Sequence, residues 1–198
     1  MKPTNIKERF KPMHMPDSQA VSLEPSVFLI TGIMASGKST VAQLLAERLP
    51  RSVHVRGDAF RRMIVNGREE YMPNPSDEAV RQLRLRYRIA ASTADAYRDA
   101  GFNVVVQDVV LGPELKEFVG WIRSRPLYVI VLTPDPEAVA GREAARGKQG
   151  YGPWTVAALD RILREETPDI GLRLDTTHLT AEATVSEILS RAWTEAAV

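Results

Sequence analysis

The 198-residue chain contains no cysteine. That excludes disulfides, thiolate metal sites and cysteine nucleophiles, and it fits a cytoplasmic protein. Histidine is scarce: His14, His54 and His178 show no ligand spacing. His54 falls in an apolar run and reads as a structural histidine. Charge of one sign is also lacking, since 26 Lys and Arg face 25 Asp and Glu for a net +1. A chain so balanced has no global attraction for nucleic acid or an acidic membrane surface. No apolar run approaches the roughly 20 residues of a membrane span. Met1 to Glu24 lacks the apolar stretch of a secretory signal. Polar and carrying Pro3, Pro12 and Pro16, residues 1–24 are expected to form a loosely ordered arm, or else a docked arm or dimer contact, ahead of one domain over 25–198.

What is present is ordinary globular composition, with 44% hydrophobic and 26% charged residues. Apolar strand candidates recur at Val27–Thr31, Val53–Arg56, Asn103–Gln107, Leu127–Leu132 and Gly171–Leu174, with helical patterns between them. That alternation predicts an α/β fold: a parallel sheet with helices on both faces. The longest helix is capped by Ser76, presents Val80, Leu83, Tyr87, Ala90, Ala94 and Tyr97 as one stripe, and stops at Gly101. Pro113 opens a helix to about Ser124, Pro153 or Thr155 opens one toward Glu166, and Thr180 caps the last.

The first strand runs into Gly32-Ile33-Met34-Ala35-Ser36-Gly37-Lys38-Ser39-Thr40, the pattern G-x-x-x-x-G-K-S. Two glycines permit a tight turn whose N–H groups surround phosphate oxygens. Lys38 reaches the β- and γ-phosphates, and the Ser39 hydroxyl can ligate Mg²⁺. The following helix, with Val41, Leu44, Leu45 and Leu49 on one face, aims its positive end at the same place. The loop from Gly32 to Thr40, Ala35 and Ser36 included, therefore predicts a bound nucleoside triphosphate.

Partners for that loop must come from the C-terminal ends of neighbouring strands. Asp58, just past the second strand, can take the proton of an attacking hydroxyl or can merely cap a helix starting near Ala59. Arg61 can orient an anionic group. Asp108, ending Val104-Val105-Val106-Gln107, is placed to hold Mg²⁺, or with Gln107 to touch substrate. Arg142 and Arg146, four apart, share a helix face ahead of Gly147, Gly150 and Gly152, a composition suited to a closing lid over about 141–153. Guanidinium groups there can neutralise a transferring phosphoryl group. Arg81, Arg84, Arg86 and Arg88 look like a nucleic-acid patch but read chiefly as a solvated face, from which Arg84 or Arg88 can reach the cleft. Tyr71 is a candidate for the acceptor pocket, and Trp121 and Trp154 for core or lid packing.

With these pieces in place the chain resembles the small P-loop kinases, a group described among AAA-type ATPases. It is similar to the group around chloramphenicol phosphotransferase, gluconate kinase, adenylylsulfate kinase and the kinase domain of polynucleotide kinase. The resemblance rests on Gly32 to Thr40, on Asp58-x-x-Arg61, on Leu132-Thr133-Pro134-Asp135-Pro136-Glu137 followed by Arg142 and Arg146, and on Leu174-Asp175-Thr176-Thr177. Many relatives carry a glycine where this chain has Ala35. The resemblance implies a three-layer fold with strand order 2-3-1-4-5 and a small lid. It also implies a general base at Asp58 and a loop at Thr176 bordering the adenine. The implied activity is transfer of a phosphoryl group from ATP, with Mg²⁺, to a hydroxyl of a small molecule. A nucleic-acid end kinase and a non-catalytic nucleotide sensor or slow NTPase are the alternatives. The acceptor, the ATP or GTP preference and the oligomeric state stay open.

Overall fold

Val27-Phe28-Leu29-Ile30-Thr31-Gly32 forms a strand, β1, buried at all six positions. Its continuous apolar character requires cover on both sides. In the computed structural model, which describes residues 24–145 and 151–198, β1 is the centre of a five-stranded sheet. The other strands are β2 (Ser52–Arg56), β3 (Asn103–Gln107), β4 (Leu127–Leu132) and β5 (Leu172–Leu174). Their order is β2-β3-β1-β4-β5 and every pairing is parallel. This is the expected order, with each expected strand displaced at its ends by at most one residue. The proposed arm lies outside the described residues except for Glu24.

The helices are α1 (Lys38–Arg48), α2 (Gly57–Arg62), α3 (Asp77–Asp99), α4 (Glu114–Trp121), α5 (Pro136–Ala145), α6 (Val156–Arg161) and α7 (Ala181–Arg191). The last two run on into single π-helical turns, Ile162–Glu166 and Ala192–Ala196. One sheet face packs Phe28 and Ile30 against Val41 and Leu45 of α1 and Val185 and Ile188 of α7. The other packs Leu29, Val104 and Val106 against Tyr87 and Ala90 of α3 and Phe118 of α4.

Local signals set the helix ends. Ser76 Oγ accepts the Ala79 N–H at 3.0 Å, and Thr155 and Thr180 cap α6 and α7 in the same way. Pro113 precedes α4 as expected, but the helix ends at Trp121 because Ile122 leaves in an extended conformation. Tyr97 departs from the expected α3 stripe: it is exposed and meets Phe102 edge-on at 5.9 Å. Asp95 takes the inward position in that turn, where its carboxylate accepts the backbone N–H groups of Arg123 and Ser124.

Gly171 leads into β5 at φ +75°, and a Cβ there would lie 2.3 Å from the Val129 carbonyl oxygen. Gly171→Ala combines a left-handed backbone with an overlap on the sheet. It should lower stability by roughly 2–4 kcal/mol, read as an earlier midpoint in urea with an unchanged slope.

Candidate active site

The phosphate loop sits between two buried elements. Gly32 and Gly37 have φ of +144° and +96°, and a Cβ on Gly32 would stand 2.7 Å from the Leu132 carbonyl. Ala35 is also left-handed, at φ +59°. A side chain held there costs about 1 kcal/mol or more. Helix α1 begins at Lys38 with no side chain capping its N–H groups. Those donors and the helix dipole form an anion site. Lys38 is buried and its Nζ donates to the Ile33 carbonyl at 2.6 Å. Tyr151 Oη braces the loop from outside, donating to the Met34 carbonyl at 2.6 Å.

At the end of β3 the two neighbours divide their roles. Ser39 Oγ donates to Gln107 Oε1 at 3.2 Å. Asp108 faces elsewhere. Its Oδ1 accepts the Val109 N–H at 2.8 Å and an Arg86 Nη at 3.0 Å, and Arg86 Nε lies 3.0 Å from Oδ2. Both side chains are shielded from solvent, with 14% and 4% exposed. Burial pushes the Asp108 carboxyl up, opposed mainly by the Arg86 guanidinium. Burial works against the Arg86 charge, but Asp108 holds it in place and keeps that group's pKa raised. Tyr87 donates to the Val109 carbonyl at 2.6 Å; burial, then Asp108, raises its phenol. Glycine is required at position 57, where a Cβ would fall 2.0 Å from Asp108 Oδ2.

The metal expectation for Asp108 therefore meets a different geometry: Gln107 is the residue beside Ser39. The expectation for the α3 arginines shifts too. Arg84 pairs with Glu117, Arg81 with Glu78, and Arg88 lies over the Trp121 ring. Arg86 is the one turned inward. The sequence held a signal for this, since Arg86 lies three residues after Leu83 and beside Tyr87 on the core-facing side.

Asp58 lies in the first turn of α2, which starts one residue earlier, and makes no capping bond. Its carboxylate pairs with Arg62 and is 43% exposed on the cleft wall. Arg61 pairs with Glu70. His54 is only half satisfied: Nδ1 meets Gln43 Oε1 at 3.0 Å, while Nε2 is buried without a hydrogen-bond partner among the described residues.

Arg142 departs from its expected post. It donates to the carbonyls of Thr176 and Thr177, at 2.7 and 3.3 Å, and is not on the cleft wall. A guanidinium is drawn to the carbonyls closing the loop after β5. Arg146 lies outside the described residues, as does the middle of the expected lid, 146–150. Ser36 Oγ and Thr176 Oγ1 are buried without a hydrogen-bond partner among the described residues. A buried hydroxyl calls for a hydrogen-bond partner, and a ligand atom can supply it.

A cleft of about 760 Å³ opens beside the phosphate loop. It brings together Lys38, Ser39, Asp58, Arg61, Gln107 and Asp108. Its outer wall is aromatic: Tyr71 stacks on Trp154 at 6.3 Å, and the Trp154 indole N–H donates to the Tyr71 carbonyl at 3.0 Å. Mg²⁺ fits this donor set. The Ser39 hydroxyl and Gln107 carbonyl are hard oxygens, and that ion is held by few protein ligands beside phosphate and water.

A family model described as the AAA domain (AAA_33) matches residues 27–168. The chain belongs to that family. No curated protein matches it in sequence. Among solved structures, a sugar kinase from Janibacter sp. HTCC2649 is 20% identical, over 84% of this chain and 93% of that one, at a TM-score of 0.58. APS kinase from Mycobacterium tuberculosis, solved with AMPPNP and APS, is 18% identical over 84% and 96%, at 0.63. A gluconokinase from Sinorhizobium meliloti 1021 is 17% identical over 84% and 91%, at 0.57. The fold of this AAA domain is thus shared with small P-loop kinases. No helix among the described residues is long and apolar enough to cross a membrane.

His54 gives the domain a pH dependence. Burial, reinforced by Arg56 and opposed by Asp58, lowers it from 6.5 to about 4. Between those values the unfolded chain takes up a proton that the folded one refuses, so stability falls as pH drops from about 6.5 toward about 4 and levels off below. His54→Gln should flatten that part of the curve in urea titrations across the range.

Proposed function

We propose that the chain is a cytoplasmic ATP- and Mg²⁺-dependent phosphotransferase acting on a hydroxyl of a small molecule. The observation that carries this reading is that Asp58 and the phosphate loop face one cleft. A loop that only sensed nucleotide would need no carboxylate across from it. The nucleic-acid alternative has less support, because Arg81 and Arg84 pair with Glu78 and Glu117 and Arg88 lies over the Trp121 ring.

In this reading the loop amides, Lys38, Ser39 and Thr40 hold the triphosphate. Lys38 leaves the Ile33 carbonyl for the β- and γ-phosphates. Ser36 and Thr176 gain partners for their buried hydroxyls, Thr176 on the side of the base. Mg²⁺, held by Ser39 with Gln107 beside it, neutralises charge on the phosphates when bound. Asp58 accepts the acceptor hydroxyl proton as the new O–P bond forms and the bond to the leaving ADP oxygen breaks. Arg142 fixes the loop bordering the base, and the lid arginine Arg146 supplies charge to the transition state. Positioning and electrostatics carry such a reaction, so these groups suffice.

Lys38→Ala should lower transfer by roughly 10³-fold, and Asp58→Asn by roughly 10²-fold with Mg-ATP affinity retained. A γ-labelled ATP transfer assay over hydroxylated metabolites and antibiotics, with calorimetry of Mg-ATP binding, checks both. Near-native transfer by Asp58→Asn would remove that residue from the base role.

A further inference from the structure

The acceptor end of the cleft has a charge character that the phosphate end does not. Six carboxylates line the cleft as a whole against three cations, among the described residues, and Asp58 and Glu166 pair with Arg62 and Arg161 outside that lining. Lys38 serves the phosphate loop. The other two cations are neutralised in place, Arg61 by Glu70 and Arg86 by Asp108. Glu114 is different: its carboxylate makes no hydrogen bond or ion pair among the described residues. Its field nonetheless reaches the wall, where burial and then Glu114 raise the Tyr71 phenol. Arg84, the cation nearest that wall from α3, is held by Glu117 at 2.9 Å.

The rest of that end is apolar and aromatic. Met72, Leu83, Leu111 and Ile162 line it with the stacked Tyr71 and Trp154. An anionic acceptor placed here would lose its hydration and meet uncompensated negative charge. An ammonium would meet the Glu114 carboxylate and an aromatic wall, which attracts a cation. Glu114 also stands in the first turn of α4, where an acidic residue favours the helix dipole. A helix role alone would not require the aromatic wall opposite.

We propose that the acceptor is a hydroxylated amine with an apolar or aromatic body, its ammonium held between Glu114 and the Tyr71–Trp154 wall and its hydroxyl turned to Asp58. This rests on the phosphotransferase reading for the identity of the cleft. The amine is a recognition group only. The hydroxyl oxygen forms the new bond to phosphorus, the phosphoanhydride bond breaks with its electrons going to ADP, and the hydroxyl proton passes to Asp58.

The test uses three matched probes on the full chain: phenylalaninol, its N-acetyl derivative and 3-phenyllactate. Each is an aromatic alcohol, and they are cationic, neutral and anionic. Binding is followed by tryptophan fluorescence, with Trp154→Phe identifying the cleft signal. Phenylalaninol should bind at least roughly tenfold tighter than the other two, and Glu114→Gln should erase most of that preference while leaving Mg-ATP affinity unchanged. Tighter binding of 3-phenyllactate, a preference unaltered in Glu114→Gln, or binding of none of the probes would overturn the proposal. A γ-labelled ATP assay with the same compounds separates the two readings. Selective amine binding with no transfer to any hydroxylated amine would leave the charge assignment standing and sink the phosphotransferase reading.

Discussion

Backbone N–H groups can cradle a polyanion only if the chain around them cannot yield, and here that rigidity comes from burial on both sides of the loop. β1 enters it with six buried residues, hydrogen-bonded in register to β3 and β4. Thr31 adds a clasp, donating to the Val110 carbonyl at 2.8 Å and accepting the Val110 N–H at 2.9 Å. α1 leaves the loop with Val41, Ala42 and Leu45 buried against the same sheet. The left-handed residues between are held by packing rather than by their own preference, which is how an alanine can occupy position 35. Strained backbone of this kind persists where the surroundings over-determine it.

A second constraint stands across the cleft. The Arg86–Asp108 pair joins the longest helix to the end of β3, with Gly57 of α2 pressed against the carboxylate. Such a pair adds little net stability, because desolvation offsets most of the attraction, but losing one partner leaves a bare buried charge. Its value here lies in geometry. It ties α3 to the strand ends and turns Asp108 toward Arg86, while Gln107 is the residue beside Ser39.

The sheet was legible because buried parallel strands are written as unbroken apolar runs, and Val104-Val105-Val106 or Tyr128 to Leu132 have no other reading. The loop was legible because its chemistry needs those residue types at that spacing. Capping residues at Ser76, Thr155 and Thr180 announced three helices. The side chains that tertiary contacts redirect were harder. Choosing among four arginines on α3 requires the phase of the helix against the sheet, and Asp95 perturbs that phase in the turn that exposes Tyr97. Arg142 follows the carbonyls of a segment more than thirty positions away, which no local pattern encodes. Glu114 carries no local signal of a place on the cleft wall, because an acid in the first turn of a helix is ordinary.

The outer strand β2 carries a further consequence. Its sequence is Ser-Val-His-Val-Arg, and among the described residues only β3 pairs with it. The free side of an edge strand is a template on which another chain can add, and proteins blunt it with short length and polar or charged side chains. Five residues ending in an exposed arginine, with Gln43 reaching over His54 and Arg56, answer that hazard. Short length and a charged end make strand addition at this border unfavourable.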